Sequence, residues 1–416
     1  MNRRDFIKLA GMAGMTVVSP IALTRSARAE EMNYPGPYYV MINAIGGWDT
    51  TYLCDPKGVN NINQAYGQGD IGSIASSPIT YAPVGNNQYF FEKYASELLV
   101  LNGVDMATTS HATGERYAWT GSLENPEYPT FAALAAAAYA PTLPLSYLSY
   151  GGHDATGALL PLTRVSNVSH LRGLADPDHK EGHASKPYHA PRAAEMIRDA
   201  VDARHTARQN ASHLPTEQTA RSALFTARMG ARELRWVREH LPTDLPRDND
   251  MKAQALVALA AFKAGLSVSV NLVLNGFDSH AQNDSEQLPK LQLVLDAVDF
   301  LLEEAEGMGL RDKIVVVMAS DFGRTPTYNP DRGKDHWAIG SVMALGTGIR
   351  GNRVIGATDE EQRPFNVNPT TLALEYEGIR LRPEHIHRAL RRHAGIADNP
   401  IAQRFALKEE DLDIFS

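Results

Sequence analysis

The sequence has a single cysteine, Cys54, and no excess of basic residues. One cysteine excludes an intramolecular disulfide and any thiolate metal cluster, so a metal site would have to use Asp, Glu and His. The formal net charge is −8, and residues 1–29 hold five basic residues against one acidic, so the chain after residue 29 carries about −12. An acidic protein of this kind argues against nucleic acid as a partner.

The first 29 residues have the layout of a twin-arginine signal peptide. Arg3 and Arg4 precede a short Gly/Ala-rich apolar run, and the small residues of "ARA" (27–29) come directly before Glu30. The alternative is an uncleaved membrane anchor, but the run is short and Pro20 interrupts it. The sequence therefore predicts export to the periplasm or the medium, cleavage near Glu30, and no membrane span in the mature chain.

Short apolar runs alternate with amphipathic segments along residues 30–416. The runs have the length and composition of buried strands. They are "YYVMINA" (38–44), "ELLVLNGV" (97–104), "LSVSVNLVL" (266–274), "KIVVVMA" (313–319) and "SVMALG" (341–346). A helical pattern over 285–309 separates the third run from the fourth, which gives a βαβ unit. The predicted fold class is α/β, a mainly parallel sheet with helices on both faces.

Residues 186–265 differ in character from the rest of the chain. They are rich in Ala and Arg, and prolines such as Pro215 and Pro246 divide them into short segments. We expect two to four helices there, forming an insertion beside the sheet within one domain of residues 30–416.

Three of the predicted strands are followed by an aspartate: Asp49, Asp278 and Asp321. The carboxyl ends of parallel strands meet at one edge of a sheet, where ligands bind. Carboxylates gathered at one edge repel each other unless a cation lies between them. The sequence therefore predicts one or two divalent ions, Zn, Mn, Ca or Mg, at this edge.

Two histidines complete the predicted ligand set. Asp278, His280 and His336 form a mixed oxygen and nitrogen set, while Asp49 and Asp321 form an oxygen-rich one. Each residue has another interpretation, because an Asp after a strand is often a helix N-cap and a single His is usually an ordinary surface or core residue. Their joint occurrence at strand ends favours the metal.

These residues resemble a bacterial exported family called "domain of unknown function fifteen-oh-one", of the alkaline phosphatase and sulfatase superfamily. The resemblance lies in "GFDSH" (276–280), "SDFGRTP…DHW" (320–337), "GTGIRGNRVIG" (346–356) and "SHATGERYAWTGS" (110–122). These segments resemble the family's "GGWDTH", "SEFGR…DHG", "GG.VKGG.VYG" and "SHF…W..G" blocks. The resemblance implies an alkaline-phosphatase-like three-layer α/β/α sandwich.

Residue by residue, the resemblance places Asp49, Asp278, His280, Asp321 and His336 in the metal site. Alkaline phosphatases have an Asp-His pair where this chain has Asp321-Phe322, so a second ion would lack its nitrogen ligand. Counting back ten residues from the glycine of Thr120-Gly121, as in sulfatases, gives His111, and Ser110 is adjacent. The sequence places Ser110 or His111 in the site without assigning its role.

Two functions follow as alternatives. The first is an exported metal-dependent hydrolase of phosphate or sulfate esters, whose substrate is a small molecule or a glycan ester. Arg324 would hold the anionic group, or it forms a salt bridge with a loop carboxylate. The second is a non-catalytic periplasmic protein that keeps the fold and binds a glycan or a partner.

Overall fold

The structure is a computed structural model. It describes residues 34–59, 61–141, 143, 145–165, 179–180, 183–211, 214, 217, 234, 236–242 and 244–416. The predicted signal peptide (1–29) lies outside the described residues, so its cleavage and the export of the chain stay predictions. Within the described ranges, no helix has the length and apolar character needed to span a bilayer.

An eight-stranded sheet forms the centre of the molecule. Its strands in chain order are β1 (Tyr38–Ile45), β4 (Leu99–Asp105), β5 (Tyr147–Ser149), β6 (Thr163–Arg164), β9 (Ser269–Asn275), β10 (Ile314–Ser320), β13 (Ile339–Gly346) and β14 (Arg353–Ile355). Three two-stranded ladders accompany it. They are β2 (Gly72–Ser73) with β3 (Thr80–Tyr81), β7 (His179–Lys180) with β8 (His183–Pro187), and β11 (Gly323–Arg324) with β12 (His336–Trp337).

The strand order is β14-β4-β13-β10-β1-β9-β5-β6. All neighbouring pairs are parallel except the two that β13 makes with β10 and β4. The five predicted strands and the mainly parallel sheet are therefore confirmed, and β13 is the strand that runs antiparallel to both of its neighbours. A strand covered on both faces reads as a continuous apolar run in either direction, so its composition does not report its orientation.

Helices cover both faces of the sheet, which confirms the α/β class and the three layers. The helices are α1 (Asn87–Tyr94), α2 (His111–Thr120), α3 (Phe131–Tyr139), α4 (Pro191–Asn210), α5 (Asp250–Lys263), α6 (Asn283–Gly307), α7 (Pro383–His393) and α8 (Pro400–Gln403). Alternate residues of β1 enter different cores. Val40 and Ile42 pack in the core that contains α1, α5 and α6, and Tyr39 and Met41 pack in the core that contains α3 and α7.

The predicted insertion 186–265 contains α4 and α5, which the sequence anticipated as helices. Helix α5 lies in the layer that covers the sheet, because Met251, Leu259 and Phe262 are buried in the core shared with α6. The residues between the two helices are described only in part. Whether 186–265 forms an insertion beside the sheet stays a prediction.

Candidate metal site

Three neighbouring parallel strands end at the same edge of the sheet, as expected from the sequence. Strands β10, β1 and β9 lie side by side and end at Ser320, Ile45 and Asn275. The loops that follow them carry Asp321, Asp49 and Asp278, so the three aspartates share this edge. Their carboxylates nevertheless have different partners.

Asp278 lies at the centre of a cluster with three histidines. Its Oδ1 atom is 3.0 Å from Nε2 of His336 and 3.1 Å from Nε2 of His280. Its Oδ2 atom is 3.4 Å from Nε2 of His111. The Nε2 atoms of His280 and His336 are 2.9 Å apart. The structure therefore brings together the three predicted ligands Asp278, His280 and His336, and adds His111.

The three histidines direct Nε2 to this cluster because Nδ1 of each is engaged by an oxygen acceptor. Nδ1 lies 2.8 Å from Asp335 Oδ1 in His280, 2.8 Å from the Thr109 carbonyl oxygen in His336, and 2.5 Å from Asp321 Oδ2 in His111. A carbonyl or carboxylate oxygen accepts, so each Nδ1 carries the proton and donates. In the neutral ring, Nε2 then presents a lone pair. Metal-ligating histidines are commonly oriented in this way.

A divalent ion fits this arrangement. The Nε2 atoms of His280 and His336 are 2.9 Å apart beside a carboxylate, and their lone pairs repel each other unless a cation or a proton lies between them. Ligands about 2.0–2.1 Å from a tetrahedral zinc ion lie roughly 3.3 Å from one another, close to the spacing seen here. The ligand atoms of His111, Asp278 and His336 all lie within 4.8 Å of one another.

The backbone places each histidine by a separate device. His111 is the first residue of α2, directly after the N-cap Ser110, whose side chain makes no capping hydrogen bond. His336 lies in β12, where it pairs with Arg324 of β11. His280 follows the end of β9 by five residues. The cluster thus joins segments that are distant in sequence.

Arg324 holds Asp278 in the cluster. Its side chain is 0% exposed and donates from Nη2 to Asp278 Oδ1 at 2.7 Å, from Nε to the Gly47 carbonyl and from Nη1 to the Lys334 carbonyl. The guanidinium that was expected from the sequence to hold a substrate anion is therefore buried and engaged by these protein acceptors. The salt bridge that the sequence offered as the alternative is what forms.

The charge state of Asp278 reflects these partners. Its side chain is 47% exposed, and partial burial raises its pKa. The hydrogen bond and the positive charge of Arg324 outweigh that effect, and the pKa falls to about 2. Asp278 is therefore ionised at neutral pH, as a metal ligand must be.

Asp321 is buried and acts on His111 rather than on the centre of the cluster. Its Oδ1 atom accepts from the Gly46 backbone N–H at 3.0 Å and from Ser320 Oγ at 2.8 Å, and its Oδ2 faces His111 Nδ1. This hydrogen bond raises the pKa of His111, against the opposing effect of burial. The structure thus places Asp321 as the hydrogen-bond partner of His111 Nδ1, and its predicted role as a metal ligand stays a prediction.

Asp49 lies outside the cluster. Its carboxylate is 0% exposed, caps the 3₁₀ turn Thr50–Tyr52 by accepting from the Thr51 backbone N–H, and pairs with the ammonium of Lys334 at 2.7 Å. Asn283 Nδ2 donates to the same oxygen as Lys334, at 2.9 Å. The structure therefore places Asp49, which the sequence predicted as a metal ligand, apart from the histidines, with its carboxylate engaged by protein donors.

Ser110 and Phe322 border the cluster. Ser110 is exposed and adjoins His111 in the chain. The Phe322 ring lies 4.8 Å from the ring of His111 and 4.6 Å from that of His336, measured between centroids. An apolar ring therefore occupies the position after Asp321 at which the resemblance implied a second nitrogen ligand.

Sequence reasoning did not assign Thr109, Asp335 or Lys334. Asp335 had a usable signal, because it directly precedes His336 in a charged loop after a strand. The Thr109 carbonyl had none, since a backbone oxygen has no side-chain signature. The partner of Lys334 depends on the path of the loop between β11 and β12.

A second group of ionisable residues, His385, Glu409 and Glu410, lies close together elsewhere. Nδ1 of His385 accepts from the Arg382 backbone N–H at 3.1 Å, so in the neutral ring the proton lies on Nε2. That Nε2 donates to Glu410 Oε2 at 3.3 Å and has no lone pair for an ion. The group is therefore a hydrogen-bonded cluster that ties α7 to the C-terminal segment.

The fold and the cluster together define an α/β/α sandwich with a His/Asp site at the carboxyl edge of its sheet. The family model described as "Protein of unknown function (DUF1501)" matches residues 167–373. This match confirms the resemblance to that family over these residues. No curated protein matches the sequence.

Solved structures with similar folds include sulfatases and an alkaline phosphatase. The crystal structure of Ps i-CgsB is 8% identical with a TM-score of 0.43, and the alignment covers 90% of this chain and 75% of that one. The candidate sulfatase yidJ from Bacteroides fragilis is 11% identical with a TM-score of 0.43, and the alignment covers 92% of this chain and 78% of that one. A TAB5 alkaline phosphatase mutant is 12% identical with a TM-score of 0.36, and the alignment covers 86% of this chain and 98% of that one. At such identities and TM-scores, neither activity nor ligands transfer to this chain.

Proposed function

We propose that the chain is an exported, metal-dependent hydrolase of phosphate or sulfate esters. One observation carries the proposal: three imidazole Nε2 atoms, each oriented by a hydrogen bond at Nδ1, converge on the carboxylate of Asp278. His111, Asp278 and His336 would hold the ion, with His280 as a further nitrogen donor. Zn, Mn, Ca and Mg are the candidates, and the nitrogen-rich donor set favours Zn among them.

The residues around the cluster support ester chemistry. A bound divalent ion polarises an ester oxygen and lowers the pKa of a hydroxyl or water at the site. The N-terminus of α2, directly before His111, offers backbone N–H groups and the positive end of a helix dipole to an anionic group. The Ser110 hydroxyl is exposed and makes no capping bond, which leaves it available to attack phosphorus or sulfur.

A second candidate is a non-catalytic metal-containing protein that binds a glycan or another partner. Two observations favour it. Among the described residues, the hydroxyl of Ser110 makes no hydrogen bond to the four cluster side chains, and Phe322 stands where the resemblance implies a second nitrogen ligand. The two candidates differ in turnover, which can be measured directly.

The test measures hydrolysis of 4-nitrophenyl phosphate and 4-nitrophenyl sulfate by protein purified from a periplasmic fraction. Activity should disappear after chelation and return with one of the four candidate ions. Ser110→Ala should keep the metal and lower kcat by orders of magnitude if the hydroxyl attacks. Thr109→Val, which keeps the carbonyl that accepts from His336, is the matched control.

Each outcome distinguishes the candidates. Metal content without turnover of either ester supports the binding protein, and turnover that survives chelation removes the basis of the hydrolase proposal. Activity that persists in Ser110→Ala but requires the ion would assign the attack to water.

A further inference from the structure

The second strand-end carboxylate has an environment unlike that of Asp278. Asp49 accepts from Lys334 Nζ at 2.7 Å and from Asn283 Nδ2 at 2.9 Å through Oδ2. Its Oδ1 accepts from the backbone N–H and the hydroxyl of Thr51, at 3.1 and 2.6 Å. Both side chains of the ion pair are 0% exposed. The carboxylate thus has four protein donors, one of them a full positive charge.

The ammonium of Lys334 is enclosed as a bound cation would be. Besides Asp49, Nζ lies 3.4 Å from the Thr51 hydroxyl, and it faces the rings of Tyr52 and Tyr328 at 5.6 and 5.2 Å from their centroids. The two phenol oxygens lie 2.7 Å apart, and the Tyr328 hydroxyl donates to Asp284. A carboxylate, a hydroxyl and two aromatic faces stabilise a positive charge at this point.

We infer that the ammonium of Lys334 takes the place of a second metal ion, so that the chain binds one divalent ion and not two. Each of the three strand-end carboxylates has its own partner in the chain. Asp278 has Arg324 and the histidines, Asp321 has His111, and Asp49 has Lys334. The inference rests on the proposed metal at Asp278 and deepens it by fixing the number of ions.

Lys334 also positions the metal ligands through its backbone. Its N–H donates to the Ser279 carbonyl at 3.0 Å, between Asp278 and His280, and its carbonyl accepts from Arg324 Nη1 at 2.9 Å. The next two residues are Asp335, which orients His280, and His336 itself. The buried ion pair therefore fixes the segment that delivers His336, and Lys334 is a positioning residue as well as a cation.

The first measurement is the number of ions bound per chain, obtained by elemental analysis and by calorimetric titration of the metal-free protein with Zn²⁺ and Mn²⁺. One ion per chain is expected. The variant Asp49→Asn/Lys334→Met removes both buried charges, a change that is often tolerated when the volume is kept. It should still bind one ion.

The opposing outcomes are separable. Two ions in the unaltered chain and one in Asp49→Asn/Lys334→Met would overturn the inference and leave the proposed hydrolase intact. No ion in either protein would overturn the proposed metal site, and the inference with it.

A second variant tests the substitution of ammonium for metal directly. Lys334→Ala leaves the Asp49 carboxylate buried without its cation, and it should take up a second ion from excess Zn²⁺ or Mn²⁺. The added ion should raise its melting temperature more than that of the unaltered chain. Adding Asp49→Asn to this variant should abolish the second ion. Lys290→Met, which removes an ion pair with Glu286 on the surface of α6, is the control.

If Lys334→Ala folds and takes up no second ion, the inference is overturned. If that variant does not fold, the comparison of the unaltered chain with Asp49→Asn/Lys334→Met decides the question. Neither readout depends on catalysis, so both apply even if the protein proves to be a binding protein.

Discussion

The Nε2 atoms of His280 and His336 lie 2.9 Å apart, although Nδ1 of each ring faces an oxygen acceptor. In the neutral rings both Nε2 atoms carry lone pairs, which repel at this distance. Either a proton or a metal ion must lie between them. The adjacent Asp278 carboxylate and the Nε2 of His111 favour the ion, because together they complete a set of ligands.

The first prediction separates the roles of two aspartates in this site. Asp278→Asn removes a ligand charge and should abolish metal binding. Asp321→Asn keeps the shape of a residue that contacts the cluster through His111, so it should weaken metal affinity by about 10–100-fold. Calorimetric titration of the metal-free variants measures both effects. Asp331→Asn, an exposed position in the loop that precedes His336, should leave the affinity unchanged.

Equal and complete loss of metal in both variants would make Asp321 a direct ligand. Unchanged affinity in Asp278→Asn would show that its carboxylate serves the salt bridge to Arg324 alone.

The sequence predicted the edge of the sheet at which the site lies, but not which partner each of the three aspartates has there. Apolar runs and the helix between them predicted parallel strands whose ends converge, and this brought Asp278, His280 and His336 together. Strand-end position does not distinguish a ligand from a cap. The loop between β11 and β12 determines which carboxylate receives Lys334, and loop paths follow from contacts that are distant in sequence.

The pattern of apolar runs could not predict the direction of β13. A strand between two others is apolar on both faces whichever way it runs, and only the connections decide its orientation. Counting back from Thr120-Gly121 gave His111, and the structure places these residues at the two ends of α2.

A second prediction concerns export. We expect the mature chain to begin at or near Glu30 and to be found outside the cytoplasm, because Arg3-Arg4 and "ARA" have the layout of a twin-arginine leader. N-terminal sequencing of protein from a periplasmic fraction measures this. Replacing Arg3 and Arg4 with lysines should retain the precursor in the cytoplasm. A mature chain that still begins at Met1 would contradict the prediction.

A third prediction is that residues 186–265 do not fold alone. In α5, Leu259 and Phe262 are buried against the sheet layer, and the isolated segment would expose them. Circular dichroism of the fragment should show no cooperative thermal transition, whereas residues 30–416 should show one. A sharp transition in the fragment would make it an independent domain.

The last prediction concerns a buried histidine that is not part of the candidate metal site. His387 of α7 is buried among apolar residues and donates from Nε2 to the Ala118 carbonyl at 2.8 Å, and among the described residues it has no partner at Nδ1. Burial lowers its pKa to about 4 from the usual value near 6.5. Between about pH 4 and 6.5, His387 is therefore neutral in the folded chain and protonated in the unfolded chain.

The sign of the pH dependence follows from that difference. Because the pKa of His387 is lower in the folded state, its neutral form stabilises the fold fully above about pH 6.5. The stability falls as the pH is lowered from 6.5 towards 4, by about 3 kcal/mol in total. His387→Gln can keep the hydrogen bond to Ala118 and cannot be protonated, so its unfolding free energy should change less over this interval. Urea denaturation of the metal-free proteins at several pH values measures the difference, with exposed His189→Gln as the control. Parallel pH profiles for the unaltered chain and His387→Gln would show that His387 does not titrate with folding.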